Sequence, residues 1–154
     1  MRETSISALL IAALAVPAAA QNVSADPKTV SAVLEESGFE SRWEQTPGGQ
    51  PALLSSNGAS DFSVFFSNCN SSGDDCSTLQ FYAGYQTDGR TELSAINAFN
   101  RDTRFGDAYL DEEGDAVLEM DVNLDFGGVS RENLADQISV WTDLMETFEI
   151  AIEW

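Results

Sequence analysis

Residues 100–124 read NRDTRFGDAYLDEEGDAVLEMDVNL, and the parsing of this stretch decides the fold. Apolar and polar residues alternate with period two after Arg104 and again after Gly114, which predicts two strands joined by a glycine-containing turn. Phe105 and Tyr109 fall on one pleat face of the first strand, and Leu118, Met120, Val122 and Leu124 share a face of the second. With Asp111 opposite Ala116, Tyr109 faces Leu118 and Phe105 faces Val122, aromatic over aliphatic across the pair. The reverse face then carries Ala108, Leu110 and Val117 beside Glu119 and is only half polar.

Upstream, Asp88-Gly89 turns the chain and Thr91 is placed to cap a helix carrying Leu93, Ile96 and Phe99. Residues 77–86 set Leu79, Phe81, Ala83 and Tyr85 against Gln80, Tyr82 and Gly84, and residues 61–67 set Phe62, Val64 and Phe66 against Ser63 and Phe65. These two strands are expected to pair antiparallel. Residues 39–45 make a weaker strand, residues 46–51 a turn, and Ala52, Leu53 and Leu54 open a further strand. Asp26 and Pro27 read as the cap and first residue of a helix with Val30, Val33 and Leu34, stopped at Gly38. Downstream, Gly127-Gly128 leads to Ser130, which caps the longest helix. There Leu134, Ile138, Trp141, Met145, Phe148 and Ile152 recur at steps of three and four, Leu144 widens the stripe, and the pattern runs to Trp154. The expected architecture is one α+β domain over mature residues 21–154, an antiparallel sheet with flanking helices in the order α-β-β-β-β-α-β-β-α.

Residues 1–20 carry a signal-peptide pattern: basic Arg2, an apolar run from Ile6 to Val16, and Ala18-Ala19-Ala20 as a cleavage site that exposes Gln21. A periplasmic or secreted bacterial protein is expected, with no membrane attachment after cleavage. The net charge is −19, from seven Lys and Arg against 26 Asp and Glu. A chain so acidic repels phosphate backbones and anionic lipid, so nucleic-acid and membrane-surface roles are excluded. Its acidity fits either a cationic partner or plain solubility, since the acids are spread along the whole chain. Cys69 and Cys76, the two cysteines, bracket a turn-rich loop, and in an exported chain this arrangement points to a disulfide worth about 2.5 kcal/mol on loop entropy.

No histidine is present, which removes the commonest general base, and no Gly-x-Ser-x-Gly elbow, P-loop or dinucleotide fingerprint appears. A non-enzymatic protein without cofactor or metal is expected. One calcium-loop candidate exists: Asp121, Asn123, Asp125 and Glu132 occupy positions 1, 3, 5 and 12, but Phe126 stands where the loop needs glycine and the approach is a strand. Arg101 and Arg104 either hold an acidic group of a partner or neutralise Asp102, Asp107 or Glu119 within the fold. Asn97 and Asn100 are placed to satisfy backbone groups between helix and hairpin. Phe65, Tyr82, Leu110 and Val117 lie on strand faces opposite the most apolar ones, with Leu144 and Trp154 beside the main stripe of the last helix. They mark either a surface for a protein partner or a homodimer, or positions covered by the first helix.

The run Ile96-Asn97-Ala98-Phe99-Asn100-Arg101, then Arg104-Phe105-Gly106, AYLDEEGD, VLEMDVNL and Gly127-Gly128-Val129-Ser130 resembles the YbjN domain family, whose members are described as bacterial sensory transduction regulators. The likeness extends from Leu79-Gln80-Phe81 into the last helix and covers roughly the mature chain. Where relatives often have Asp-Pro after the turn, this chain has Asp115-Ala116. The resemblance implies a type III secretion chaperone-like α+β fold and a regulatory or chaperone-like protein-interaction role, and it implies no catalytic residues. The alternative from another class is a periplasmic small-molecule or calcium-binding sensor.

Overall fold

The computed structural model describes residues 22–72 and 75–154; the expected signal segment, residues 1–20, lies outside them. Helix α1 (Pro27–Glu36) starts where Asp26 accepts a hydrogen bond from Thr29 N at 3.0 Å and Pro27 contributes a preset φ. It ends at Gly38, whose φ of +92° suits glycine, and Phe39 N closes back on Leu34 O. Phe39 therefore belongs to the helix exit, and strand β1 is Ser41–Gln45, two residues shorter at its start than the alternation suggested. Strands β2 (Pro51–Ser56), β3 (Asp61–Ser67) and β4 (Thr78–Tyr85) follow, then helix α2 (Leu93–Asp102), β5 (Asp107–Leu110), β6 (Ala116–Asn123) and helix α3 (Arg131–Ala151). The strands form one antiparallel sheet in the order β1-β2-β3-β4-β6-β5.

One pleat face of this sheet carries the large apolar side chains of β3, β4 and β6, and the helices pack on it. Trp141 of α3 is fully buried between Phe62 and Phe81, with ring centroids 6.1 and 5.6 Å away, while Phe148 meets Phe99 of α2 at 4.9 Å. The whole predicted stripe of α3 is buried, Leu144 included, so this face of the last helix is spent inside the domain, while Ile150 stays exposed off the stripe. The helix stops at Ala151 rather than running to Trp154: Glu153 adopts φ +56° and Trp154 N returns to Glu149 O, turning the Trp154 ring edge-on to Tyr85. Among the described residues no helix is long and apolar enough to cross a membrane.

Two local expectations need correction. Thr91 does not cap α2; Glu92 holds the N-cap position without a side-chain bond, and Thr91 is buried instead. More consequential is the hairpin register. Asp111 pairs with Asp115, its N–H donating to Asp115 O at 3.0 Å, and its carboxylate accepts from Glu113 N and Asp115 N inside the turn. Three residues then form the loop, with Gly114 at φ +84°. Leu110 faces Ala116, Tyr109 faces Val117 and Ala108 faces Leu118, one residue away from the register with Asp111 opposite Ala116. Because side chains alternate, that single step moves Ala108 and Leu110 to the helix-covered face and Tyr109 to the other. Phe105 lies outside the strand, at φ +72° and largely exposed.

Two isolated bridges fasten the lead into α1, Val23 to Val129 and Ala25 to Cys76. Cys69 and Cys76 are joined, with sulfurs 2.07 Å apart, across the loop that links β3 to β4.

Candidate interaction surface

The three helices among the described residues pack on one side, so no helix among these residues lies over the outer sheet face. Its composition follows from the registers. Phe65, Gln80 and Asp121 lie in one row across β3, β4 and β6; Leu54, Ser63, Tyr82, Glu119 and Asp107 lie in the next; Gly84, Val117 and Tyr109 lie in a third. Phe65 and Tyr82, diagonal neighbours, meet edge-to-face at 5.7 Å. The Tyr82 ring leans forward along its strand over Gly84, where a Cβ would stand 3.1 Å from its hydroxyl oxygen. Glycine at this position leaves the phenol room.

Glu119 is the charged centre. Its carboxylate accepts from the Tyr109 hydroxyl at 2.9 Å on one oxygen and from Gln80 Nε2 at 3.5 Å on the other. Partial burial and then the Glu119 carboxylate push the Tyr109 phenol up to about 12, and burial together with Asp111 and Glu119 raises Tyr82. Tyr85, buried on the helix side and donating to Glu149 at 3.2 Å, is raised as well. A phenol whose folded pKa is raised contributes stability that is complete below its unfolded value near 10 and is lost as pH rises through the folded value. Ultraviolet titration of the native protein is therefore expected to show the tyrosines ionising above the unfolded range, and urea-unfolded protein should show all three near 10. Native ionisation of all three tyrosines near 10 would contradict the Tyr109–Glu119 geometry.

Of the residues singled out in the sequence, Phe65, Tyr82 and Val117 do come together on this face, with Val117 1% exposed. Leu110 does not; it packs against the helix-side core, as the corrected register requires. Leu144 is buried, and Trp154 covers Tyr85. Arg101 grips its neighbour Asp102 through two bonds of 2.8 and 2.6 Å, and Arg104 has no ion pair among the described residues. Both sit at the end of α2 and beyond it, apart from the Phe65–Tyr82 cluster. The sequence reading put Tyr109 on the other side of the sheet because the register was one residue out, and so did not join it to Gln80 and Glu119; the signal was the Asp111-to-Asp115 spacing, which closes a three-residue loop. Around the calcium-loop candidate, Asn123 Oδ1 accepts from Asp125 N, Phe126 adopts φ +60° and Glu132 lies in the first turn of α3. No cluster of three or more metal-ligating side chains occurs among the described residues.

An antiparallel six-stranded sheet clad by helices on one side, with an aromatic and acidic face on the other, defines the class: an α+β domain suited to regulation or interaction. The chain belongs to the YbjN family, whose model, described as "Putative bacterial sensory transduction regulator", matches residues 26–154. Among solved structures it is similar to that of YbjN from E. coli, described as "a putative transcription regulator", with a TM-score of 0.53 and 17% identity over 82% of this chain and 88% of that one. At that identity the likeness shows the fold alone. No curated protein matches the sequence significantly.

Proposed function

We propose that the protein is an exported, non-enzymatic regulatory module that docks a partner protein on the outer face of its sheet. The observation that carries this reading is the outer face, uncovered by any helix among the described residues, on which Phe65, Tyr82 and Tyr109 stand beside Glu119, Asp121 and Asp107. Aromatic rings over a carboxylate-rich surface favour a basic segment, whose cations meet ring faces and acids together. Export is supported by the Ala18-Ala19-Ala20 signal pattern and by a joined cysteine pair, a combination suited to an oxidising compartment.

The test is site-specific photocrosslinking in cells. A photoreactive residue at Tyr82 is expected to give a discrete protein adduct in the exported fraction, and the same residue at Asp136, exposed on α3, is expected to give none. Identical adducts from both positions, or none from Tyr82, would sink the docking face. Intact mass of the exported protein, expected to start at Gln21 with no free thiols, tests the compartment separately.

A further inference from the structure

The two edges of the sheet are finished differently. At β5 the outward backbone groups of Ala108 are both taken: its N–H donates to Asn100 Oδ1 at 2.9 Å and its C=O accepts from Asn100 Nδ2 at 2.8 Å. A side chain of α2 thus stands where the next strand would be. At β1 no such cover exists among the described residues. Thr46 N donates to Gln50 O at 2.9 Å, and hydrogen-bonded positions alternate along an antiparallel pair. The backbone groups of Arg42 and Glu44 therefore turn toward β2, and those of Ser41, Trp43 and Gln45 point away from the sheet. An edge open in this way is a template for another strand.

The side chains of β1 say which strand. Trp43 is 54% exposed on the helix side, between one depression of about 440 Å³ bounded by Pro27, Gln45 and Pro51 and another of about 380 Å³ bounded by Lys28, Ser31 and Leu53. On the opposite face Arg42 and Glu44 reach each other only at 4.0 Å and remain largely exposed. Charges on an edge ordinarily guard it by repelling newcomers. Here the two signs lie symmetrically about Trp43, so one particular newcomer is attracted. An antiparallel copy centred on Trp43 sets Arg42 opposite Glu44 of the second copy, Glu44 opposite its Arg42, and the two indoles side by side.

We propose that a second copy of this chain adds to β1 about a two-fold axis at Trp43, joining two six-stranded sheets into one. Trp43 N–H donates to the Trp43 carbonyl of the second copy and the reverse, with Ser41 and Gln45 exchanging bonds on either side, so each outward group of β1 gains a partner. The net charge of −19 on each chain opposes the encounter, which salt of about 0.15 M screens beyond roughly 8 Å. This surface is separate from the outer face, and neither proposal depends on the other.

Sedimentation of the purified exported protein at that salt is expected to show a concentration-dependent dimer. Arg42→Glu and Glu44→Arg each turn both cross-strand pairs into like-charged ones and are expected to weaken it about 10-fold, while the double exchange regains the wild-type affinity. A disulfide assay reads the register: position 42 and position 44 of the second copy should lie about 4.5 Å apart between Cα atoms, whereas the two copies of position 42 lie about 7–8 Å apart. A mixture of Arg42→Cys and Glu44→Cys proteins should therefore cross-link readily and each alone slowly. A monomer at every concentration, a dimer indifferent to charge reversal, a double exchange no better than the single ones, or cross-linking without preference would each overturn the proposal.

Discussion

Gly128→Ala is expected to lower stability by roughly 3–4 kcal/mol, a loss on the order of 10 °C in Tm for a domain of this size. Gly128 holds φ +79° where the Val23–Val129 bridge crosses the entry to α3, and a Cβ there overlaps the Val23 carbonyl oxygen and stands 2.8 Å from its carbon. Those atoms are backbone and cannot rotate aside. Either the bridge opens, freeing Val23 from the core, or the Gly127-Gly128 turn shifts and misaligns Ser130, the cap whose hydroxyl accepts from Asn133 N at 3.1 Å. Gly127→Ala is the control. Its φ is +104°, so it suffers backbone strain, but nothing lies within 4 Å of the new methyl, and roughly 1–2 kcal/mol is expected. Equal losses in urea unfolding would show that strain alone decides and that the lead strand does not press on the turn.

Trp141→Ala should cost about 3–5 kcal/mol, because the side chain is fully buried where α3 crosses the sheet and its removal leaves a cavity lined by Phe62 and Phe81. Trp141→Phe is the informative comparison. The indole Nε1 is buried without an acceptor among the described residues, so its replacement removes an unsatisfied donor as well as volume. A loss of only about 1–2 kcal/mol is expected, less than the size change alone suggests. If Trp141→Phe proved as damaging as Trp141→Ala, the indole nitrogen would have to be bonded in the folded state.

Long-period signals were legible in the residues. The alternation of Phe62, Val64 and Phe66 against Ser63 and Phe65 marked β3 and its buried face, and the stripe from Leu134 to Ile152 marked α3. Asn100 was also readable as a satisfier of backbone groups, since an amide between a helix end and a strand has few other uses. Boundaries were less legible. Thr91 looks like a cap by residue type, yet burial draws it inward and the helix starts after Glu92.

By itself the sequence determined the order of elements, the helix-facing side of each long strand, the likeness to YbjN and the excess of acid, because each depends on the identity of residues near one another along the chain. Alternation left the hairpin register open and the folded turn decided it, and through it which side of the sheet Tyr109 and Leu110 occupy. A two-residue repeat is the same in either register, and the choice falls to the carboxylate of Asp111, which closes the turn on Asp115 and not on its neighbour. Tertiary structure likewise closed one sheet edge and left the other open. Asn100 reaches Ala108 only because α2 packs beside β5, whereas β1 is the first strand of the sheet and no later segment among the described residues lies along its free side. Alternation along a chain fixes which way side chains point, but pairing partners and uncovered edges depend on which segments meet in space.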